Sequence, residues 1–156
     1  MKEYRVAIVG ATGLVGQTFI QVLEEYHFPI KSIKMLASKR SAGKVITFLN
    51  QEHIVEELTE DSFDDVDLAL FSAGGDISKK YAPIAVSKGV RVIDNSSCWR
   101  QVEGIPLIVP EVNFEDYKMN RLIANPNCST IQAIVPLKAL EDAFGIKRVV
   151  YSTYQA

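Results

Sequence analysis

The feature that most constrains this chain lies at its very start. A β-branched apolar run at residues 4–9 (YRVAIV) halts at Gly10, and Gly10-Ala11-Thr12-Gly13-Leu14-Val15-Gly16 leads into a segment with Val15, Phe19, Val22 and Leu23 at helical spacing. A strand, a glycine turn and a helix in that order open a β-α-β unit. Glycine there permits a tight reversal and close approach of backbone to a pyrophosphate, while the free amides and dipole of the helix N-terminus favour negative charge. The implied ligand is a dinucleotide held around Gly10 and Gly13. The plainer alternative is a turn that only lets the first helix pack on the sheet.

The alternation continues downstream. Strands are predicted at residues 33–37, 45–48, 53–56, 68–71, 90–94, 107–109 and 122–124, and a helix at 77–88. A third helix is predicted over 128–144, stopped by Gly145 and kinked at Pro136, with a last strand over 148–154. Strands alternating with helices imply an α/β fold with a doubly wound, mostly parallel sheet of Rossmann type.

With 156 residues, 47% of them hydrophobic, the chain has room for one core that buries roughly 70% of its unfolded surface. Its 17 Lys and Arg against 19 Asp and Glu supply no field that would gather nucleic acid, so a small-molecule partner is expected. No apolar run approaches the roughly 20 residues that span a bilayer, and no signal-peptide core follows Met1. Both observations lead to the expectation of a cytoplasmic protein without a membrane partner. Cys98 and Cys128 are too few for a disulfide framework and have no metal-ligand spacing with His27 or His53, so no metal is expected.

Two further loops extend the dinucleotide reading. NAD-binding sheets carry an acidic residue about 20 positions after the glycine turn to accept the ribose 2'-hydroxyl. Here the second strand runs instead into Ser38-Lys39-Arg40-Ser41-Ala42-Gly43-Lys44. Cations and hydroxyls suit a 2'-phosphate, which points to NADP with Arg40 and Ser41 as its contacts, unless the loop is simply a solvated basic turn. Phe71-Ser72-Ala73-Gly74-Gly75 follows another strand, and its small residues Ser72 and Gly74 would let the nicotinamide half approach.

Asn125-Pro126-Asn127-Cys128-Ser129-Thr130 sets a thiol at a predicted helix N-terminus, where amides and dipole stabilise a thiolate nucleophile. The same amides, with the Asn127 side chain, could donate to a carbonyl oxygen that becomes negative on attack. Cys98 has no such setting and is read as structural. Arg100 beside it has a guanidinium that could hold a phosphate or carboxylate in fixed orientation, or else form a surface ion pair. His27 and His53 have no catalytic context, so the general base is expected beyond residue 156.

Taken together, GATGLVG, ASKRSAGK, FSAGG, DNSS followed by Arg100, VPEVN and NPNCST resemble the aspartate-semialdehyde dehydrogenase family across essentially the whole chain. The resemblance implies reductive dephosphorylation of 4-aspartyl phosphate to L-aspartate 4-semialdehyde with NADPH, on the route to lysine, threonine, methionine and isoleucine. It makes Cys128 the acyl-thioester nucleophile, Arg100 the holder of the substrate phosphate, and Asn127 and Gln155 substrate-binding residues. Cofactor contacts map to Thr12, Gly13, Leu14, Val15, Arg40 and Ser41. Cys98-Trp99 departs from the family's usual Ala-Phe. Residues 1–127 would form the NADP-binding domain and 128–156 the first helix and strand of a truncated catalytic and dimerisation domain. The family's chain is about twice as long, assembles as a homodimer or homotetramer, and covers apolar surface left bare here with its own last helix. N-acetyl-γ-glutamyl-phosphate reductase is the competing relative, although its cysteine motif typically reads Gly-Asn-Pro-Gly-Cys. A nucleotide-binding fragment without turnover and a purely structural subunit are the other readings.

Overall fold

Six parallel strands and one antiparallel strand make a single seven-stranded sheet in the computed structural model, which describes residues 2–154. The elements in chain order are β1 (Tyr4–Val9), α1 (Leu14–Glu25), β2 (Ile30–Ala37), β3 (Val45–Phe48), β4 (Gln51–Glu57), β5 (Leu68–Phe71), α2 (Gly75–Ser87), β6 (Arg91–Asp94), α3 (Pro110–Asn113), β7 (Leu122–Ala124) and α4 (Cys128–Phe144). The sheet runs β3-β4-β2-β1-β5-β6-β7. Its parallel strands therefore read third, second, first, fourth, fifth, sixth, the order of a doubly wound Rossmann sheet. The strand order, not the strand direction, reverses between β1 and β5, and open α/β sheets bind ligands at the carboxyl edge of such a switch point.

The opening run lacks polar alternation because β1 is the central strand, buried on both faces: Ala7, Ile8 and Val9 are fully inaccessible. One face packs Val6, Ile8 and Met35 against Ile20 and Leu23 of α1 and Phe48 and Val55 of the β3–β4 hairpin. The other packs Ala7, Val9, Leu36 and Val92 against Phe63 and against Ala82 and Ala85 of α2. Over β6 and β7 the face opposite α2 is open. Ile93, Ile108, Phe114, Tyr117 and Ile123 line a groove there of about 430 Å³, bare apolar surface of the kind the resemblance implies.

Two predicted strands do not form. Residues 107–109 make only an isolated bridge, Leu107 to Ala124. Pro106 has no amide to donate, and Pro110 fits the first turn of α3, whose cap at Val109 donates its N–H to Asn113 Oδ1 at 2.9 Å. The segment 148–154 has high β-propensity but pairs with no neighbouring strand among the described residues. β2 begins three residues earlier than expected and pairs with β1 from Tyr4–Ile30 onward. α4 runs unbroken through Pro136. No helix among the described residues is long and apolar enough to cross a membrane.

Candidate active site

The glycine turn is built by close contact. Gly10 has φ +90°, and a β-carbon there would sit 3.0 Å from the Ala73 nitrogen and Ser72, so the loops after β1 and β5 touch. A β-carbon on Gly16 would overlap the Gly10 carbonyl oxygen, which is why α1 can seat so near the strand. Leu36 O accepts both the Gly10 and Ala11 amides at 2.8 and 3.1 Å, and Gln17 Nε2 donates to Ala11 O at 2.6 Å. These bonds leave the first amides of α1 free to face an anion.

A cleft of about 500 Å³ opens along this edge. The turn contributes Gly10, Thr12 and Gly13; the loop after β2 contributes Ser38, Lys39, Arg40 and Ser41; the loop after β5 contributes Ser72 and Ala73. Lys39 to Ser41 form one turn of 3-10 helix, with the Lys39 and Arg40 side chains exposed and Ser41 buried. Gly43 and Lys44 tie this basic turn to Val55 of β4 by two backbone bonds of 2.8 and 2.7 Å. Gly74, at φ +89°, caps α2 beside the cleft but does not line it, and neither do Leu14 and Val15. The Leu14 side chain is 87% exposed. Sequence reasoning missed Glu57, Leu58, Ile77 and Tyr81, which also line the cleft. The expected fourth strand stopped at residue 56; one residue more, with the switch-point rule, would have placed Glu57 at the edge.

At the other side of the edge, Asn127 caps α4. Its Oδ1 accepts the Thr130 amide and the Ser129 and Thr130 hydroxyls at 2.9, 2.9 and 3.0 Å. Cys128 is therefore the first helical residue, and it is exposed. Arg100 is half-buried and donates from Nε to Asn125 O and from Nη2 to Asn95 O, each at 2.9 Å. All ion pairs among the described residues lie elsewhere, so its charge meets carbonyl dipoles alone. Asn125 Nδ2 donates to Asn95 Oδ1 at 2.7 Å, which locks the loops after β6 and β7 together. The guanidinium is thus fastened three residues before Cys128. An open groove beside the thiol is lined by Ser129, Gln132, Tyr151, Thr153 and Tyr154. Gln155 lies outside the described residues.

Cys98 differs from Cys128. Burial pushes its thiol above the ordinary range, and the Asp94 charge adds to the shift, as suits an inert structural cysteine. His27 follows α1 at the opposite edge of the sheet, and His53 packs against Phe48 in the β3–β4 hairpin. Neither approaches the thiol.

The profile of the semialdehyde dehydrogenase NAD binding domain matches residues 5–120, most of the chain. The chain belongs to that family. It is 59% identical over 98% of its length to an aspartate-semialdehyde dehydrogenase of Aquifex aeolicus, while covering 46% of that relative. The chain thus spans about half the length of the curated relatives it matches. Among solved structures, it overlays aspartate semialdehyde dehydrogenase II of Vibrio cholerae, complexed with ASA, with a TM-score of 0.89 at 49% identity, covering 94% of this chain and 49% of that one. The Candida albicans enzyme with NADP overlays with a TM-score of 0.79 at 28% identity, covering 93% of this chain and 48% of that one. The resemblance expected from the motifs holds, and the domain is a nicotinamide-dinucleotide-binding one.

Proposed function

We propose that this chain is the cofactor- and cysteine-bearing part of an NADPH-dependent aspartate-semialdehyde dehydrogenase. The observation that carries the reading is the anchoring of Arg100, free of any carboxylate, to the turn that presents Cys128, on the same sheet edge as the dinucleotide cleft. An arginine paired only with carbonyls retains a full charge for an anion. A thiol presented by the turn that anchors it can attack a carbonyl whose leaving group is phosphate.

The cleft fits a dinucleotide phosphate, since β-carbons at Gly10 and Gly16 would crowd the turn that must approach it. NADP rather than NAD is favoured by Lys39, Arg40 and Ser41 at the end of β2, with Arg40 and Ser41 holding the 2'-phosphate. In the proposed reaction the Cys128 sulfur bonds to the acyl carbon, the carbon–oxygen bond to phosphate breaks, and phosphate leaves toward Arg100. When bound, NADPH supplies the hydride that reduces the thioester carbon. Amides of the first α4 turn and Asn127 Nδ2 then shelter the oxyanion until the carbon–sulfur bond breaks and the aldehyde leaves. In this reading Gln155 orients the substrate, while the proton acceptor and assembly as a homodimer or homotetramer belong to the complete enzyme.

Replacing Cys128 by Ala in the complete protein that carries this chain tests it. Turnover of L-aspartate 4-semialdehyde with phosphate and NADP should vanish while NADPH quenching of Trp99 fluorescence stays. Retained turnover would remove Cys128 from the chemistry.

A further inference from the structure

The loop that carries Arg100 hangs on a buried carboxylate. Asp94, the last residue of β6, is wholly inaccessible and has no cation partner among the described residues. Its Oδ1 accepts the Ser96 amide at 2.6 Å, and its Oδ2 accepts the Ser96 hydroxyl at 3.1 Å and the hydroxyl of Ser78 from α2. Ser78 is 1% exposed and in turn accepts the indole N–H of Trp99 at 2.8 Å. A chain of bonds therefore runs from Trp99 through Ser78 to Asp94. Trp99 immediately precedes Arg100, and Ile77, beside Ser78, lines the dinucleotide cleft.

A buried carboxylate without a cation is costly unless its oxygens are satisfied. Every donor that satisfies Asp94 comes from α2 or from the loop itself, so neither can shift without stranding the charge. Trp99 matters as a donor: phenylalanine would fill much of the same space but could not reach Ser78 with an N–H. We propose that Asp94, Ser78 and Trp99 form a positioning unit that fixes the Arg100 guanidinium for the phosphate of its substrate. This inference rests on the reading of Arg100 as a phosphate holder.

Inorganic phosphate titrated into the NADPH-saturated chain, followed by the 31P line width and the indole N–H resonance of Trp99, gives the test. Phosphate affinity should fall about tenfold in Asp94→Asn and Ser78→Ala, each of which breaks up the buried network, and about threefold in Trp99→Phe, which removes one neutral donor. NADPH affinity should stay within about twofold of wild type, a split that general loss of structure would not produce. In Ser78→Ala the indole resonance should also lose its response to phosphate. Unchanged phosphate affinity in folded Ser78→Ala and Trp99→Phe would overturn the positioning role, whether or not Asp94→Asn folds. If wild-type chain binds NADPH but no phosphate, Arg100 is not the phosphate holder, and the proposal falls with that reading.

Discussion

A β-carbon at position 16 would fall inside the Gly10 carbonyl and against Ala11 Cα, both backbone atoms that cannot swing aside. Alanine would favour the helix by about 1 kcal/mol over glycine, whereas overpacking costs roughly 1–3 kcal/mol, so the clash should win. Gly16→Ala is expected to lower the urea midpoint and weaken NADPH binding together, because the same turn serves both. Asp67 offers a second residue-level prediction. The Arg5 side-chain hydrogen bond, reinforced by the Arg5 amide, lowers its pKa to about 2. The folded value lies below the unfolded one, so the stabilisation is full above about pH 4 and drains away as pH falls toward 2. Urea midpoints measured from pH 7 to 2 should drop more steeply across that window in wild type than in Asp67→Asn. An identical acid limb would show that this pairing contributes nothing.

Among the elements, α4 depends most on one side chain. Asn127→Ala deletes the acceptor of three hydrogen bonds and should cost about 1 kcal/mol. The Thr130 amide should then exchange with solvent about fivefold faster in NMR, and an unchanged rate would mean that another group caps the helix. Elements defined by their own sequence were legible in advance. β1, β5, β7 and α4 showed as apolar runs or helical periods, and the glycine turn and Cys128 sat at their visible ends. What failed depended on neighbours. The segment 148–154 has the residues of a strand but no ladder to join, and α3 spans too few residues for a period to register. Glu57, Leu58, Ile77 and Tyr81 join the cleft only through the strand order. The Asp94–Ser78–Trp99 chain brings together residues 16 and 21 positions apart, contacts that no local pattern announces.

For the molecule as a whole, the cleft gathers loops from both halves of the sheet, so a ligand there should brace the entire fold. NADPH at a hundred times its dissociation constant is expected to stabilise the chain by about 2.7 kcal/mol, a rise of roughly 5–10 °C in melting temperature. NADH at the same concentration should do much less, and Arg40→Ala should erase the difference; equal shifts from both nucleotides would refute selection by the basic turn. The placement of β1 also bears on how the protein is made. It leaves the ribosome before the other six strands of this sheet, yet it is flanked by β2 on one side and by the much later β5 on the other. At about 5–20 residues added per second, one edge of this apolar strand stays without its partner for roughly 2–7 seconds between synthesis of Ala37 and Phe71. During that interval the nascent chain presents an open strand edge to chaperones and to other nascent copies of itself.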